Sequence, residues 1–334
     1  MAANHNWPVY GHDWAVDYLR KGMRNDRIRH AYLISGTPSI GKTTLAHAFA
    51  MALNCEDDDI EARPCGVCRS CKTLYSGNHP DMLYTETDAG TGHLKIEEVR
   101  SLTSRIAMKP YQARYRIAIL SDFDHAQPRT QDALLKTLEE PPPHAVLIVM
   151  ASSLESILPT ITSRSQIIHM RPVAADATRD FLMTNYEVEE EHATLLSRFS
   201  GGRIGWAIEA AENPDILQQR EEALDLLEEV VATNRAGRFD LANGLGKDKQ
   251  ALAQLLELWL TYWRDVLLAT EGSPVKPCNT DRQVSIEQMT YTVGAQEALI
   301  ALRATQATIK NLSYNVNARL TLEVMFLDYP GLTR

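Results

Sequence analysis

A chain of 334 residues with 44% hydrophobic and 23% charged residues has material for two or three domains with real cores. Its formal net charge of −9 argues against a protein that coats nucleic acid through its overall field, and leaves only local basic patches open. No apolar stretch approaches the roughly 18 residues of a membrane span, and Met1–Asp13 has neither a basic n-region nor an apolar h-region. A cytoplasmic location without membrane contact is expected.

The first periodic segment, residues 11–23, puts Ala15, Val16, Leu19 and Met23 on one helical face. The apolar run His30–Ile34 that follows reads as a buried strand ending at Ser35-Gly36. Thr43–Leu53 is rich in good helix formers, so the segment from Gly36 to Lys42 joins a strand to a helix. After a cysteine-bearing insert come a strand at Met82–Thr85, a helix at Ile96–Met108 and a strand at Arg116–Leu120. A helix at Pro128–Glu140 is stopped by Pro141-Pro142-Pro143, and Ala145–Met150 and Gln166–Met170 supply two more strands. Strands and helices alternating in this way predict an α/β domain with a parallel sheet covered on both faces. Past Pro172 only helical patterns remain: short ones over 176–211 around Ser200-Gly201-Gly202, and longer ones over 214–334. In the longest, Leu255, Leu256, Trp259, Trp263, Val266 and Leu267 form a stripe that reads as core.

Gly36-Thr37-Pro38-Ser39-Ile40-Gly41-Lys42-Thr43 fits the pattern G-x-x-x-x-G-K-[ST] between a strand and a helix. Glycines allow the tight turn whose N–H groups surround phosphate oxygens, helped by the positive end of the following helix. The binding residues expected from this motif are Gly36, Gly41, Lys42, Thr43 and Thr44. Lys42 would reach the β and γ phosphates, and the Thr43 hydroxyl would hold Mg²⁺. ATP or ADP with Mg²⁺ is the expected ligand class. Hydrolysis needs more, namely an acid at the end of a second strand. There the sequence reads Leu120-Ser121-Asp122-Phe123-Asp124, with a neutral hydroxyl at the strand end and acids just beyond it. Hydrolysis by this chain alone is therefore expected to be weak or absent.

Of the five cysteines, Cys55, Cys65, Cys68 and Cys71 fall within one short insert. Two C-x2-C spacings let close turns aim neighbouring sulfurs at one ion, and four thiolates leave no open position for water. A structural Zn²⁺ is favoured over an iron–sulfur cluster. Cys278, remote in the helical half, reads as inert.

Several of these segments together resemble one family, the clamp-loader subunits of bacterial DNA polymerase III within the AAA+ group. They are His30-Ala31-Tyr32-Leu33, the phosphate loop, the four-cysteine insert, the run Ala133-Leu134-Leu135-Lys136-Thr137-Leu138-Glu139-Glu140-Pro141-Pro142, and Ser163-Arg164-Ser165. The resemblance covers residues 6–172 and then weakens, with Ser200–Trp206 and Asn315–Glu323 as later points. It implies a P-loop AAA+ domain over 1–172 with its zinc module at 55–71, a small helical lid over 173–213, and an all-α collar over 214–334. In that family a Ser-Arg-Cys arginine reaches ATP bound by the neighbouring subunit, so the resemblance implies that Arg164 is a catalytic arginine finger supplied in trans, with Ser165 in the cysteine's place. A guanidinium suits that role because it is always charged and forked.

Motor subunits of the family, gamma or tau, end the second strand in Asp-Glu and carry a lid arginine. Here the equivalents are Ser121-Asp122 and Gly205. The two losses favour the stationary member, which closes a ring with gamma/tau and delta subunits and helps load the sliding clamp onto primer-template DNA; a self-sufficient gamma/tau-type ATPase is the alternative. A third reading, the zinc insert as a nucleic-acid module, is opposed by its acids Glu56, Asp57, Asp58, Asp59 and Glu61.

Overall fold

Side chains alternate in direction along a strand, so a strand buried on both faces must be apolar throughout. Among the runs predicted as strands, the central ones do this in the computed structural model, which describes residues 6–85, 94–245, 248–312 and 316–331, whereas the edge run Gln166–His169 buries only Ile168. The described residues fall into two compact units, residues 1–174 with 203–205, and residues 175–202 with 206–334.

The first unit begins with α1 (Asp13–Arg24), β1 (Ala31–Ser35) and α2 (Lys42–Asn54), followed by the insert with α3 (Arg69–Tyr75). Then come β2 (Met82–Tyr84), α4 (Ile96–Ile106), β3 (Arg116–Leu120), α5 (Pro128–Asp132), α6 (Leu135–Glu139), β4 (Ala145–Ala151), α7 (Pro159–Thr162) and β5 (Gln166–His169). The five strands form one parallel sheet in the order β2-β3-β4-β1-β5. Tyr32, Ile34, Ile117, Ile119, Val146 and Ile148 pack on the side of α1 and α2. Their alternates Ala31, Leu33, Ala118, Leu120, Leu147 and Val149 pack on the other side with α4 and the segments around α6 and α7. Two cores share one sheet.

One element departs from the sequence expectation. The helix expected over 128–140 is two short pieces, because the chain tightens at Ala133–Leu134 into i to i+3 bonds, Leu134 N–H to Gln131 O and Thr137 N–H to Leu134 O. Buried Gln131 pins the first piece: its amide donates to the carbonyls of Ala126 and Ser156 and accepts from the Leu158 N–H.

The second unit is helical: α8 (Ala175–Tyr186), α9 (Glu190–Phe199), α10 (Ile204–Glu212), α11 (Asp215–Ala232), α12 (Arg235–Leu245), α13 (Lys249–Thr270), α14 (Gln283–Thr290), α15 (Ala295–Leu312) and α16 (Ala318–Asp328). Residues 204–205 of α10 count with the first unit. In α13 the expected stripe is core, with Leu256, Trp259, Trp263 and Val266 fully buried and Leu255 and Leu267 partly so. The Trp259 indole N–H donates to Ala223 O at 2.7 Å, which satisfies a polar atom that burial would otherwise strand. Buried Arg220 of α11 stacks on Phe199 of α9, 3.8 Å from the ring centre, and pairs with Asp281 at 2.7 Å. Asn315, part of the late resembling segment, lies outside the described residues; Asn317 caps α16 by accepting from the Leu320 N–H.

Candidate nucleotide and metal sites

In a parallel sheet the loops after the strands gather at one edge, where ligands of such folds sit. The segments after β1, β3 and β4 are therefore neighbours, and they carry the phosphate loop, Ser121-Asp122 and Ser152 respectively. Gly36 is required by packing, since a Cβ there would lie 2.8 Å from the Met170 carbonyl. Gly41 is required by backbone, with φ +103° at the N-cap of α2. Ile40 is buried as the loop's anchor while Thr37, Pro38 and Ser39 stand exposed. Lys42 is buried, and its Nζ donates to the carbonyls of Gly36 (2.6 Å) and Thr37 (3.0 Å), which holds the ammonium inside the turn. Thr43 and Thr44 are exposed on the first turn of α2.

Two braces of this loop were not visible in the sequence. Buried His12 donates from Nε2 to the Ile40 carbonyl at 3.1 Å; burial lowers its pKa below the ordinary histidine value, against the opposing pull of that bond. The Gly205 N–H donates to the Ser39 carbonyl at 2.8 Å, and a Cβ at 205 would also lie 2.8 Å from that oxygen. The backbone of residue 205 is seated on the loop so closely that a side chain there would have to displace it.

At the end of β3, Asp122 is exposed in a left-handed backbone conformation (φ +46°). Asp124 has a structural task, accepting from the Ser152 N–H at 3.0 Å and so tying the end of β3 to the end of β4.

Arg164 lies elsewhere. It precedes β5 by two residues, whereas the phosphate loop follows β1, and β1 and β5 run parallel with Tyr32 beside Gln166 and Ser35 beside His169. At ~3.3 Å per residue the two are separated by about 20 Å along the strands. The half-exposed guanidinium donates to the Thr160 carbonyl (3.1 Å) and pairs with Glu139 at 3.0 Å. Glu139 belongs to the resembling run 133–142, but nothing in the sequence singled it out as this arginine's partner.

The four insert cysteines converge, with all Sγ atoms within 4.8 Å of one another. Cys55 caps the C-terminus of α2, Gly66 (φ +71°) turns the chain between Cys65 and Cys68, and Cys68 caps α3, which carries Cys71. Backbone N–H groups of Cys65, Cys68 and Cys71 donate to the sulfurs of Cys55, Cys65 and Cys68 at 3.3–3.4 Å. Burial raises the Cys65 thiol, but the N–H groups of Cys68 and Val67 and the neighbouring thiols outweigh it and bring it down to about 7. Burial prevails at Cys55 and Cys71, whose thiols are raised. Four sulfurs that mutually close, with N–H donors aimed at three of them, fit a tetrahedral ion whose S···S edges would be about 3.8 Å for ~2.3 Å bonds. The cluster is thus able to hold a metal ion.

A family model described as DNA polymerase III, delta subunit, matches residues 11–174. The DNA polymerase III subunit delta' of Bacillus subtilis is 27% identical over 313 residues, covering 92% of this chain and 93% of its own length. The chain is a homologue of DNA polymerase III delta-prime subunits. Its delta-prime likeness runs through both units, while a tau subunit from Salmonella typhimurium, 33% identical over 203 residues, covers 59% of this chain. The chain spans 31% of that tau relative's length. Among solved structures, a DNA polymerase III gamma subunit-related protein of Thermotoga maritima has 14% identity and a TM-score of 0.40, covering 92% of this chain and 97% of its own. The fold of this delta-prime homologue is a five-stranded parallel sheet domain carrying the phosphate loop, followed in sequence by an all-helical region, with a four-cysteine cluster able to hold a metal ion. Among the described residues no helix is long and apolar enough to cross a membrane.

Proposed function

We propose that the chain works as the stationary, delta-prime-type subunit of a clamp loader, supplying Arg164 in trans to ATP bound by a neighbouring gamma/tau subunit. The observation that carries this reading is the placement of Arg164 at the sheet edge opposite its own phosphate loop. An arginine about 20 Å from the phosphates its own chain would bind serves only a site built by another polypeptide. Ser121 at the end of β3 and Gly205 seated on Ser39 agree with weak hydrolysis, since they stand where a motor subunit would need a carboxylate and an arginine. Gly36, Gly41, Lys42, Thr43 and Thr44 would hold ATP or ADP with Mg²⁺ as a structural ligand. Cys55, Cys65, Cys68 and Cys71 would hold Zn²⁺, which fixes the insert without taking part in chemistry. Residues 1–172, 173–213 and 214–334 would act as sheet domain, lid and collar, the collar joining gamma/tau and delta subunits into a ring in the cytoplasm. The sliding clamp and primer-template DNA would then be met through the assembled complex.

The identity shared with tau keeps a motor subunit as the competing reading. ATPase assays separate the two. The isolated chain is expected to turn over negligibly, and Arg164→Ala is expected to leave it folded while lowering DNA-stimulated ATPase of the reconstituted complex by a factor on the order of 10³. Brisk hydrolysis by the lone chain, or an unaffected complex, would overturn the proposal.

A further inference from the structure

At the sheet edge remote from the phosphate loop, the zinc insert and the segment before β3 enclose a cleft of about 420 Å³. Its lining includes Glu56, Arg69, Ser70, His79, Gln112 and Arg114. Ser70 and His79 are buried, 5% and 4% exposed, so the floor is polar yet shielded from bulk water. The Asp81 N–H donates to His79 Nδ1 (3.1 Å), which puts the ring proton on Nε2, facing Ser70 Oγ at 3.4 Å. With its oxygen accepting from the ring, the Ser70 hydroxyl keeps its own proton to donate.

Several arginines near the cleft are occupied, and two on its rim are not. Arg24 is paired with Glu61, Arg63 with the Asp57 carbonyl, and Arg116 with the Lys109 carbonyl beside Asp81. The Arg69 and Arg114 side chains make no ion pair or hydrogen bond among the described residues, in a chain whose net charge is −9. Nor is the cleft loosely held. Asp81 accepts from the N–H groups of Tyr111, Gln112 and Ala113 at 2.6–3.0 Å, and Asn54 both donates to and accepts from the Tyr115 backbone. The Glu56 carboxylate accepts from the Ser70 N–H at 3.2 Å, so the lining carries two positive charges and one fixed negative charge.

We infer that this cleft binds the carboxylate of a partner polypeptide's C-terminal residue, held by the Arg69 and Arg114 guanidiniums and the Ser70 hydroxyl. Two forked cations match a planar carboxylate in two-point fashion, and a neutral donor floor adds to an anion without requiring a counter-charge. A nucleic-acid strand fits less well, because Glu56, Asp57, Asp58, Asp59 and Glu61 crowd the same insert and would repel a run of phosphates, whereas one terminal carboxylate presents a single charge. This site stands independently of the nucleotide and finger assignments.

The test is NMR titration of the full zinc-loaded chain with N-acetyl-leucine, N-acetyl-leucinamide and inorganic phosphate. N-acetyl-leucine should shift the Ser70, Gln112 and Ala113 amides and the Nε–H signals of Arg69 and Arg114, with the amide silent and phosphate weaker. The double variant Arg69→Ala/Arg114→Ala should lose the response while retaining zinc and melting temperature. Glu56→Gln, which keeps the acceptor for the Ser70 N–H and removes its charge, should tighten binding several-fold. Equal binding of the amide, tighter binding of phosphate, no response to any probe, or a Glu56→Gln variant that binds more weakly would each overturn the assignment. If the double variant fails to fold, the Glu56→Gln comparison alone decides.

Discussion

The cysteine cluster and the phosphate-loop edge are built in opposite ways. All four sulfurs come from one 17-residue stretch between Cys55 and Cys71, closed by its own turns and caps. The phosphate-loop edge is assembled from the ends of β1, β3 and β4, from His12 and from residue 205, with the neutral hydroxyl of Ser121 at the end of β3. A local site is complete or absent. A distributed site can lose one contributing group while keeping a well-formed turn, which is what the proposed function requires of a chain that binds nucleotide without being a motor.

The largest expected effect lies on the local side. Cys71 is fully buried and burial raises its thiol despite the Gly66 N–H that favours the thiolate, so an ion shared with the other three sulfurs is what would hold it ionised. Cys71→Ala should drop bound zinc from one ion per chain to near zero and unfold the insert, since structural zinc is worth on the order of 10 kcal/mol in small sites. Nucleotide affinity at the phosphate loop should survive, because α2 is held by the sheet core as well. Unchanged metal content would break the comparison at its first term.

Lys42→Ala comes next. Its ammonium sits among the loop carbonyls of Gly36 and Thr37, poised toward whatever phosphate the turn surrounds. Loss of a charged donor costs about 1.5–3 kcal/mol. Calorimetry should show ADP affinity falling roughly 10- to 100-fold, with zinc content unaltered. An unchanged affinity would mean that the turn is a relic of binding.

Gly205→Ala sharpens the distributed side further. The added Cβ would meet the Ser39 carbonyl backbone at 2.8 Å, which no rotamer can relieve. A stability loss of about 1–2 kcal/mol is expected, together with weakened nucleotide binding as Ser39 shifts. A neutral result by thermal denaturation would show that residue 205 is not braced on the loop.

The same contrast decides what could be read without a structure. The central strands were legible because burial on both faces forces continuous apolar runs, as in Arg116–Leu120, found where expected. The four cysteines were legible because their spacing alone dictates their meeting. The break at Ala133–Leu134 was not, because Gln131 takes its partners from Ser156 and Leu158 on a separate loop. His12 on Ile40, Gly205 on Ser39 and Glu139 on Arg164 are likewise contacts between residues far apart in the chain, each chemically unremarked until the fold joins them.

The smallest expected effect concerns Glu139. Its carboxylate is half exposed, and so is the Arg164 guanidinium it meets, so water and salt screen the pair to about 0–1 kcal/mol. Glu139→Gln retains an acceptor for Nη2, and the Thr160 carbonyl still holds Nη1. The complex's ATPase should therefore change by no more than a few-fold, and the change should vanish as salt is raised. If Glu139→Gln instead matched the loss expected for Arg164→Ala, the carboxylate would be acting on the reacting phosphate itself, and the charge contributed across the subunit boundary would be a pair rather than a lone guanidinium.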